Sequence, residues 1–457
     1  IKFFCMSECI KIKNGLNIQL TGEANKLLSD LPLPEVFAIK PSEFNGISPK
    51  VLVKPGDEVL AGSPLFFDKN NESIIFCSPV SGEIIEVVRA EKRKLLEIKI
   101  LADKEIKYLD LGKSNPAELS RDGIIDALLK GGLWPLIRQR PFGIIANHTE
   151  IPKSIFISAF DTNPLAPDID FIMQGENQET FQTGLNAIIK LTNGNTHLNI
   201  NGAKETASIF RNSRGVIINK FSGPHPAGNI GVQINHIDPI NKGEVVWYLN
   251  PQDVLVIGKL FSEGRYDASR IIALTGSQVS SPKYYKTVIG TSVKSILNDG
   301  GLKAGENRII SGNVLSGSQI QEDGFLGYYD TQITVIPEGH ESEFMGWLAP
   351  GLEKFSMSRT FFSWLNSKKK YNLNTNLHGE ERPFVVTGQY EKVFPMDIYP
   401  VQLLKSILIE DIEMMEQLGI YEVVEEDFAL CEFVCTSKIK SQEIIKRGIE
   451  IIQKELN

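Results

Sequence analysis

Apolar positions change their spacing several times along the chain, and each change marks a different kind of element. Between residues 46 and 100, short runs such as Val51-Leu52-Val53 and Ile84-Ile85-Glu86-Val87-Val88 alternate with Pro55-Gly56-Asp57, Ala61-Gly62 and Pro79-Val80-Ser81-Gly82. Gly and Pro punctuate short strands, so this stretch predicts a small all-β module. Ser120 then caps a short helix carrying Ile124, Ile125 and Leu128, for which Gly131-Gly132 supplies a left-handed stop. Downstream, 143–147, 154–160 and 215–219 are continuous apolar runs of the kind a strand buried on both faces requires. Within 176–191, Phe181, Leu185, Ile188 and Ile189 share one helical face. Strands alternating with helices predict an open α/β sheet.

The pattern changes again over 265–337, which holds strand-like and Gly-rich pieces around one helix near 291–298. Past Pro337 comes an irregular polar stretch with Lys368-Lys369-Lys370 and an Asn-rich loop. A helix is predicted over 401–419 from Leu404, Ile407, Leu408, Ile412 and Met415, and a last one from Ile445, Ile449, Ile452 and Leu456. The chain of 457 residues exceeds what one core supports, at about 150 residues per domain. It divides into an N-terminal segment (1–40), a β module (41–105), an open α/β domain (106–262), a β-rich module (263–338) and a helical domain (339–457).

Composition narrows the classes. With 42% hydrophobic and 23% charged residues the chain folds, and a net charge of −8 without a dense Lys/Arg stripe excludes nucleic acid as a partner. The apolar run 253–261 stops well short of the ~18 residues a membrane span needs. Cys5, Cys9, Cys77, Cys431 and Cys435 are too few and too scattered for a disulfide framework, which points to a reducing, cytosolic compartment. Met6 reads as a start, with residues 1–5 extraneous.

Several segments carry candidate chemistry. Lys54-Pro55-Gly56-Asp57, Gly62, Asp68-Lys69 and the Ser78 to Gly82 turn resemble a biotinyl/lipoyl-type domain, whose modified lysine would be Lys69 at a hairpin tip. A covalent swinging carrier is therefore the alternative function, although such barrels recur as purely structural modules. Gly131, Gly132, Trp134, Arg138, Arg140 and Phe142 set a helix end beside an aromatic plane and two guanidiniums, which suits a quinone ring. A capped helix with a packed Trp explains the same residues. His225, Gly228 and His236 lie in a Gly/Pro/His-rich loop, read as a ligand or interface contact or as loop architecture; the spacing of the two His fits no usual metal site. Cys431 and Cys435 resemble the end of a ferredoxin-like motif, without the dense cysteines a cluster requires. No Gly-x-Gly-x-x-Gly or Walker loop is present, so neither a catalytic residue, a metal nor a cofactor of its own is assigned.

Taken together, Ile10-Lys11-Ile12-Lys13 with Gly15-Leu16, the lipoyl-like stretch, Arg138-Gln139-Arg140-Pro141-Phe142, Gly223 to Gly228, Gln252-Asp253, Pro383-Phe384 and Ala429 to Cys435 resemble the A subunits of the sodium-translocating NADH:quinone reductases. The likeness runs from about residue 10 to about residue 438. It implies a peripheral subunit on the cytoplasmic face of the bacterial inner membrane, within a six-subunit complex. There, electrons pass from NADH through flavins and an iron-sulfur centre in partner subunits to ubiquinone, and drive sodium out. The resemblance further implies a Rossmann-like α/β domain, a β-grasp soluble ligand-binding module at 263–338 and a degenerate ferredoxin-like C-terminal domain. That family is similar in fold to the flavin-carrying subunit of respiratory complex I. Here the flavin loop is reduced to Gly131-Gly132 and the cluster cysteines to two, which implies that the redox centres were lost. The main implied partner is the integral membrane subunit, with ubiquinone as a candidate ligand.

Overall fold

The computed structural model describes residues 9–456 apart from 92–93, 341–344, 347 and 367, so Cys5, Met6 and the assignment of residues 1–5 lie outside the described residues. The first module pairs a four-stranded sheet, in the order Val36–Ile39, Leu95–Ala102, Gly82–Arg89 and Glu58–Val59, with a three-stranded sheet of Pro49–Val51, Pro64–Asp68 and Asn71–Cys77. Leu65, Phe66, Phe76, Ile84, Ile98 and Ile100 are buried in a shared core, and the rings of Phe66 and Phe76 stack at 4.3 Å. Asp68 accepts from the backbone N–H groups of Ser48 and Asn70, at 2.8 and 3.1 Å, which fixes the hairpin tip and leaves Lys69 exposed.

The second unit is a seven-stranded sheet in the order Ile10–Lys11, Ile217–Ser222, Asn195–Asn201, Ser154–Ala159, Val246–Leu249, Arg138–Arg140, Ile144–Ile145. The first five strands run parallel, and the last two are antiparallel. The apolar run 143–147 predicts a fully buried strand but contributes only the two-residue edge strand Ile144–Ile145. Phe142 (φ 79°) and Gly143 (φ 64°) are both left-handed, so the chain turns there before it can extend. The helix Arg121–Lys130 begins as expected at Ser120, whose hydroxyl accepts from Gly123 N. Its left-handed stop is Gly132 (φ 66°), whereas Gly131 is still right-handed at φ −75°.

Helices Gln178–Ile189 and Pro251–Glu263 pack through glycine. A Cβ at Gly184 would sit 2.1 Å from Val254 O, and one at Gly258 would sit 2.0 Å from Thr180 O. Only bare backbone allows that approach, and it sets the second helix, with its N-terminus, against the sheet.

The third sheet has the order Ser318–Ile320, Asn307–Ser311, Gln332–Pro337, Ser269–Thr275, Lys283–Val288, Asn25–Ser29, and its helix is Lys294–Gly300. The N-terminal segment thus gives Ile10–Lys11 to the parallel sheet, Asn25–Ser29 to this one and Val36–Ile39 to the barrel module. In the C-terminal region the helix expected over 401–419 is two, Pro400–Leu408 and Ile412–Gln417. Left-handed Glu410 (φ 57°) ends the first, and Asp411 caps the second by accepting from Met414 N at 3.0 Å. Helices Ala429–Val434 and Ser441–Leu456 complete the region.

Candidate functional site

The order of the parallel strands creates the cleft. From Ser154–Ala159 the chain proceeds to Asn195–Asn201 and then Ile217–Ser222 on one side, and returns to Val246–Leu249 on the other. Loops leaving the carboxyl ends of the two strands at such a switch point diverge and leave a crevice between them. A cavity of about 120 Å³ opens there, between Ser158, Phe160 and Asp161 at the end of one strand and Tyr248, Asn250 and Gln252 at the end of the other, with Gly228 and Glu426 also in its lining. The helix starting at Pro251 is anchored because Asp253 accepts both Asn250 N, at 3.2 Å, and the guanidinium of Arg270, at 2.6 Å.

Arg138 supplies the positive charge of the cleft. Its guanidinium lies 4.7 Å from the ring centre of Tyr248 and 4.4 Å from that of Tyr329, two cation–π contacts that hold the plane in place. Tyr329 is itself fixed by donating to Pro135 O at 2.7 Å. Arg138 Nε is buried without a hydrogen-bond partner among the described residues. Two carboxyls face the same cavity. Burial pushes the pKa of Asp161 above the ordinary carboxylate range, although its Oδ1 accepts from the Asn163 N–H and side-chain amide at 2.8 Å each. Burial, then the neighbouring Asp427 charge, raises Glu426 too, with Arg140 and Arg138 pulling back. The cleft therefore offers one fixed cation and two carboxyls that hold their protons to higher pH, between the apolar walls of Phe160, Ile172 and Ile230.

Three family profiles match the chain: the NqrA N-terminal barrel-sandwich hybrid domain over residues 10–103, the NqrA second alpha/beta domain over 119–266 and the NQRA C-terminal domain over 271–322. The A subunit of the Na(+)-translocating NADH-quinone reductase of Rhodopirellula baltica is 38% identical over 97% of this chain and 98% of that protein. This chain belongs to the NqrA family, the A subunits of the Na(+)-translocating NADH-quinone reductases. The corresponding proteins of Photorhabdus laumondii (37% identical) and Neisseria meningitidis (38%) match 98% of the chain and 100% of their own length. Among solved structures, an NAD+-reducing [NiFe]-hydrogenase chain aligns over 49% of this chain and 48% of its own, at 12% identity and a TM-score of 0.35.

For this family member the residues singled out in the sequence separate into different places. Of the six quinone candidates only Arg138 lines the cleft, and Gly228 joins it from the other set. Trp134 is fully buried, donates its indole N–H to Ala146 O at 2.7 Å and meets Trp247 edge-on at 5.4 Å. Gly131 and Gly132 are buried, and a Cβ on Gly132 would lie 2.2 Å from Cys77 Sγ, so Gly132 serves the contact between a helix end and the barrel module. Arg140 is fully buried against Asp427, and Phe142 packs at 6.1 Å on Tyr421. Replacing Trp134 by Leu is thus expected to cost roughly 2–3 kcal/mol of stability, less than full truncation of a buried Trp, and to leave ligand affinity within twofold. Denaturant unfolding beside a binding titration checks both halves.

His225 is buried, with its Nδ1 3.3 Å from Thr162 Oγ1, and burial lowers its pKa to about 4. The same hydroxyl accepts from Gly228 N at 2.8 Å, so the loop is tied to the strand end that carries Asp161. His236 is exposed on the helix Ile230–Ile237 and bonds back to Val232 O. Among the described residues no group of three His, Cys, Asp or Glu is placed to hold a metal ion. Cys431 and Cys435 are buried in the C-terminal core, where burial raises the Cys431 thiol. Sequence reasoning missed Tyr248, Tyr329, Asp161 and Glu426. The signal that could have found Asp161 is its position just past the apolar run 154–160, where a parallel strand presents functional side chains.

Proposed function

We propose that this chain is the peripheral subunit, on the cytoplasmic face of the bacterial inner membrane, of a complex that passes electrons from NADH to ubiquinone and exports Na+, and that it handles the quinone head group in the Arg138 cleft. The flavins and iron-sulfur centre belong to partner subunits in this reading, the integral membrane subunit is its main neighbour, and the isolated chain is inactive as a reductase. The proposal includes the finer fold reading: a Rossmann-like open α/β domain, a β-grasp module and a degenerate ferredoxin-like C-terminal domain. Membership of the family supports it, as does the absence of any helix long and apolar enough to cross a membrane among the described residues.

The observation that carries the quinone assignment is the Arg138 guanidinium held between Tyr248 and Tyr329 at the mouth of the switch-point cleft. A quinone is a flat, mostly apolar ring with two acceptor oxygens. A guanidinium, two carboxyls whose pKa burial raises and apolar walls match that pattern. A dinucleotide fits worse, because about 120 Å³ is the space of a single ring. Titration of the purified chain with a short-chain ubiquinone, followed calorimetrically, is expected to saturate; absence of saturable binding to both the chain and the intact complex would remove the assignment.

The carboxyls give a pH signature. A protonated Glu426 donates to the quinone oxygen, so affinity falls as pH rises through its raised pKa and the donor is lost. One such hydrogen bond corresponds to about 5–10-fold in affinity. Glu426→Gln keeps a donor at every pH, and its affinity is expected to decline less than the parent's across that range, with Asp161 alone still titrating. Parallel declines would exclude Glu426 as the donor.

A further inference from the structure

Exposed apolar side chains occur singly or in pairs over most of the described surface, and six of them gather in one stretch. Met345, Leu348, Leu352, Phe362, Trp364 and Leu365 are each 48–68% exposed within 21 residues. A monomer surface normally scatters such residues singly, whereas Trp, Phe, Leu and Met gathered together have the composition of an interface centre. The stretch is anchored at its base. Tyr371 N donates to Gln19 O at 2.7 Å and Thr21 N to Tyr371 O at 3.0 Å, and the Phe355 ring packs on Tyr371 at 5.3 Å and on Phe433 at 5.8 Å. Lys354 sits 5.4 Å from the ring of Phe361, and Arg359 5.9 Å from that of Trp364, so cations hold the aromatic rings.

Charge and backbone narrow the partner. Residues 345–371 carry Lys354, Arg359, Lys368, Lys369 and Lys370 against the single acid Glu353, on a chain whose net charge is −8; Lys369 pairs with Glu353 and Lys370 with Glu23, which leaves the stretch a net excess of positive charge. Among the described residues of this stretch the one regular element is the 3-10 turn Phe362–Leu365, and apart from the Tyr371 bonds to Gln19 and Thr21 its backbone bonds, such as Phe362 N to Pro350 O at 2.9 Å, close within the stretch. Irregular backbone cannot enter hydrocarbon, because lipid tails cannot satisfy its N–H and C=O groups. A protein surface can.

We propose that the surface formed by the described residues of 345–371 is the docking site for another subunit of the same complex, which presents an apolar patch rimmed by acidic side chains. The docking surface is independent of the quinone cleft, whose lining it does not share.

The test uses the complex purified from its host with Phe362→Ser/Leu365→Ser in this chain. Both side chains face solvent, so the isolated variant is expected to unfold within about 0.5 kcal/mol of the parent and to bind quinone as the parent does. Recovery of the variant with the other subunits is expected to fall at least about tenfold, the loss that two truncated interface anchors produce. Recovery at the parental ratio overturns the proposal. Flotation of the isolated parent with phosphatidylglycerol vesicles, abolished in the variant, also overturns it, because the partner would then be a lipid surface. Loss from the complex without flotation supports it.

Discussion

Asp427→Ala is expected to destabilise the protein by about 3–5 kcal/mol. Arg140 and Asp427 are both 0% exposed, and their Nη1–Oδ2 distance is 2.6 Å. Removing the carboxylate leaves a guanidinium sealed from water, with Nε and Nη2 already lacking hydrogen-bond partners among the described residues, and with the Glu422 carbonyl 3.3 Å from Nη1, the Tyr248 ring at 6.0 Å and the Glu426 carboxyl as its remaining company. The loss extends to the backbone, since Asp427 Oδ2 also accepts from Val424 N at 2.9 Å. The pair joins the Arg138–Arg140 strand of the seven-stranded sheet to the C-terminal helical region, so its loss frees one unit from the other. Arg140→Met/Asp427→Leu removes both charges and fills similar volume, and is expected to recover most of the loss. Denaturant unfolding of the two variants decides the matter: a single-variant loss below about 1 kcal/mol would mean that water or a neighbouring group solvates Arg140.

That pair also shows what the sequence could and could not reveal. Arg140 stands out in the sequence for the right chemistry, a guanidinium beside aromatics, but its partner lies 287 positions further on and no local spacing connects them. Trp134 carries the same ambiguity: an indole near a helix end reads alike whether it faces a ligand or the core, and Ala146 O settles it by taking the N–H. Elements written in one stretch of chain were legible. The strand Ser154–Ala159 and the helix Gln178–Ile189 follow from an unbroken apolar run and a 3.6-residue period. Elements decided by a single backbone angle were not, as at Glu410, where the period continues through 401–419 but the helix does not. The cleft was the least legible, because it exists only through the strand order. Tyr248 lies in a buried strand and reads as core, and Glu426 arrives from the far end of the chain.

Arg138→Leu is expected to weaken binding of a short-chain ubiquinone by about 10–100-fold, the range for losing a hydrogen bond to a charged donor in a desolvated site. Leu keeps much of the apolar stem beside Tyr248 and Tyr329, so stability changes little while the guanidinium donors disappear. Arg138→Lys retains the charge but not the plane that lies against the two rings, and is expected to fall between parent and Leu. The comparison with Glu426→Gln separates the two sides of the cleft. Loss of the cation lowers affinity at every pH, whereas exchange of the carboxyl reduces the pH dependence and keeps affinity closer to the parent's low-pH value. If Arg138→Leu binds quinone as tightly as the parent while Trp134→Leu, measured below its unfolding transition, does not, the ring lies against the barrel module instead, and the buried Trp134 must open to admit it.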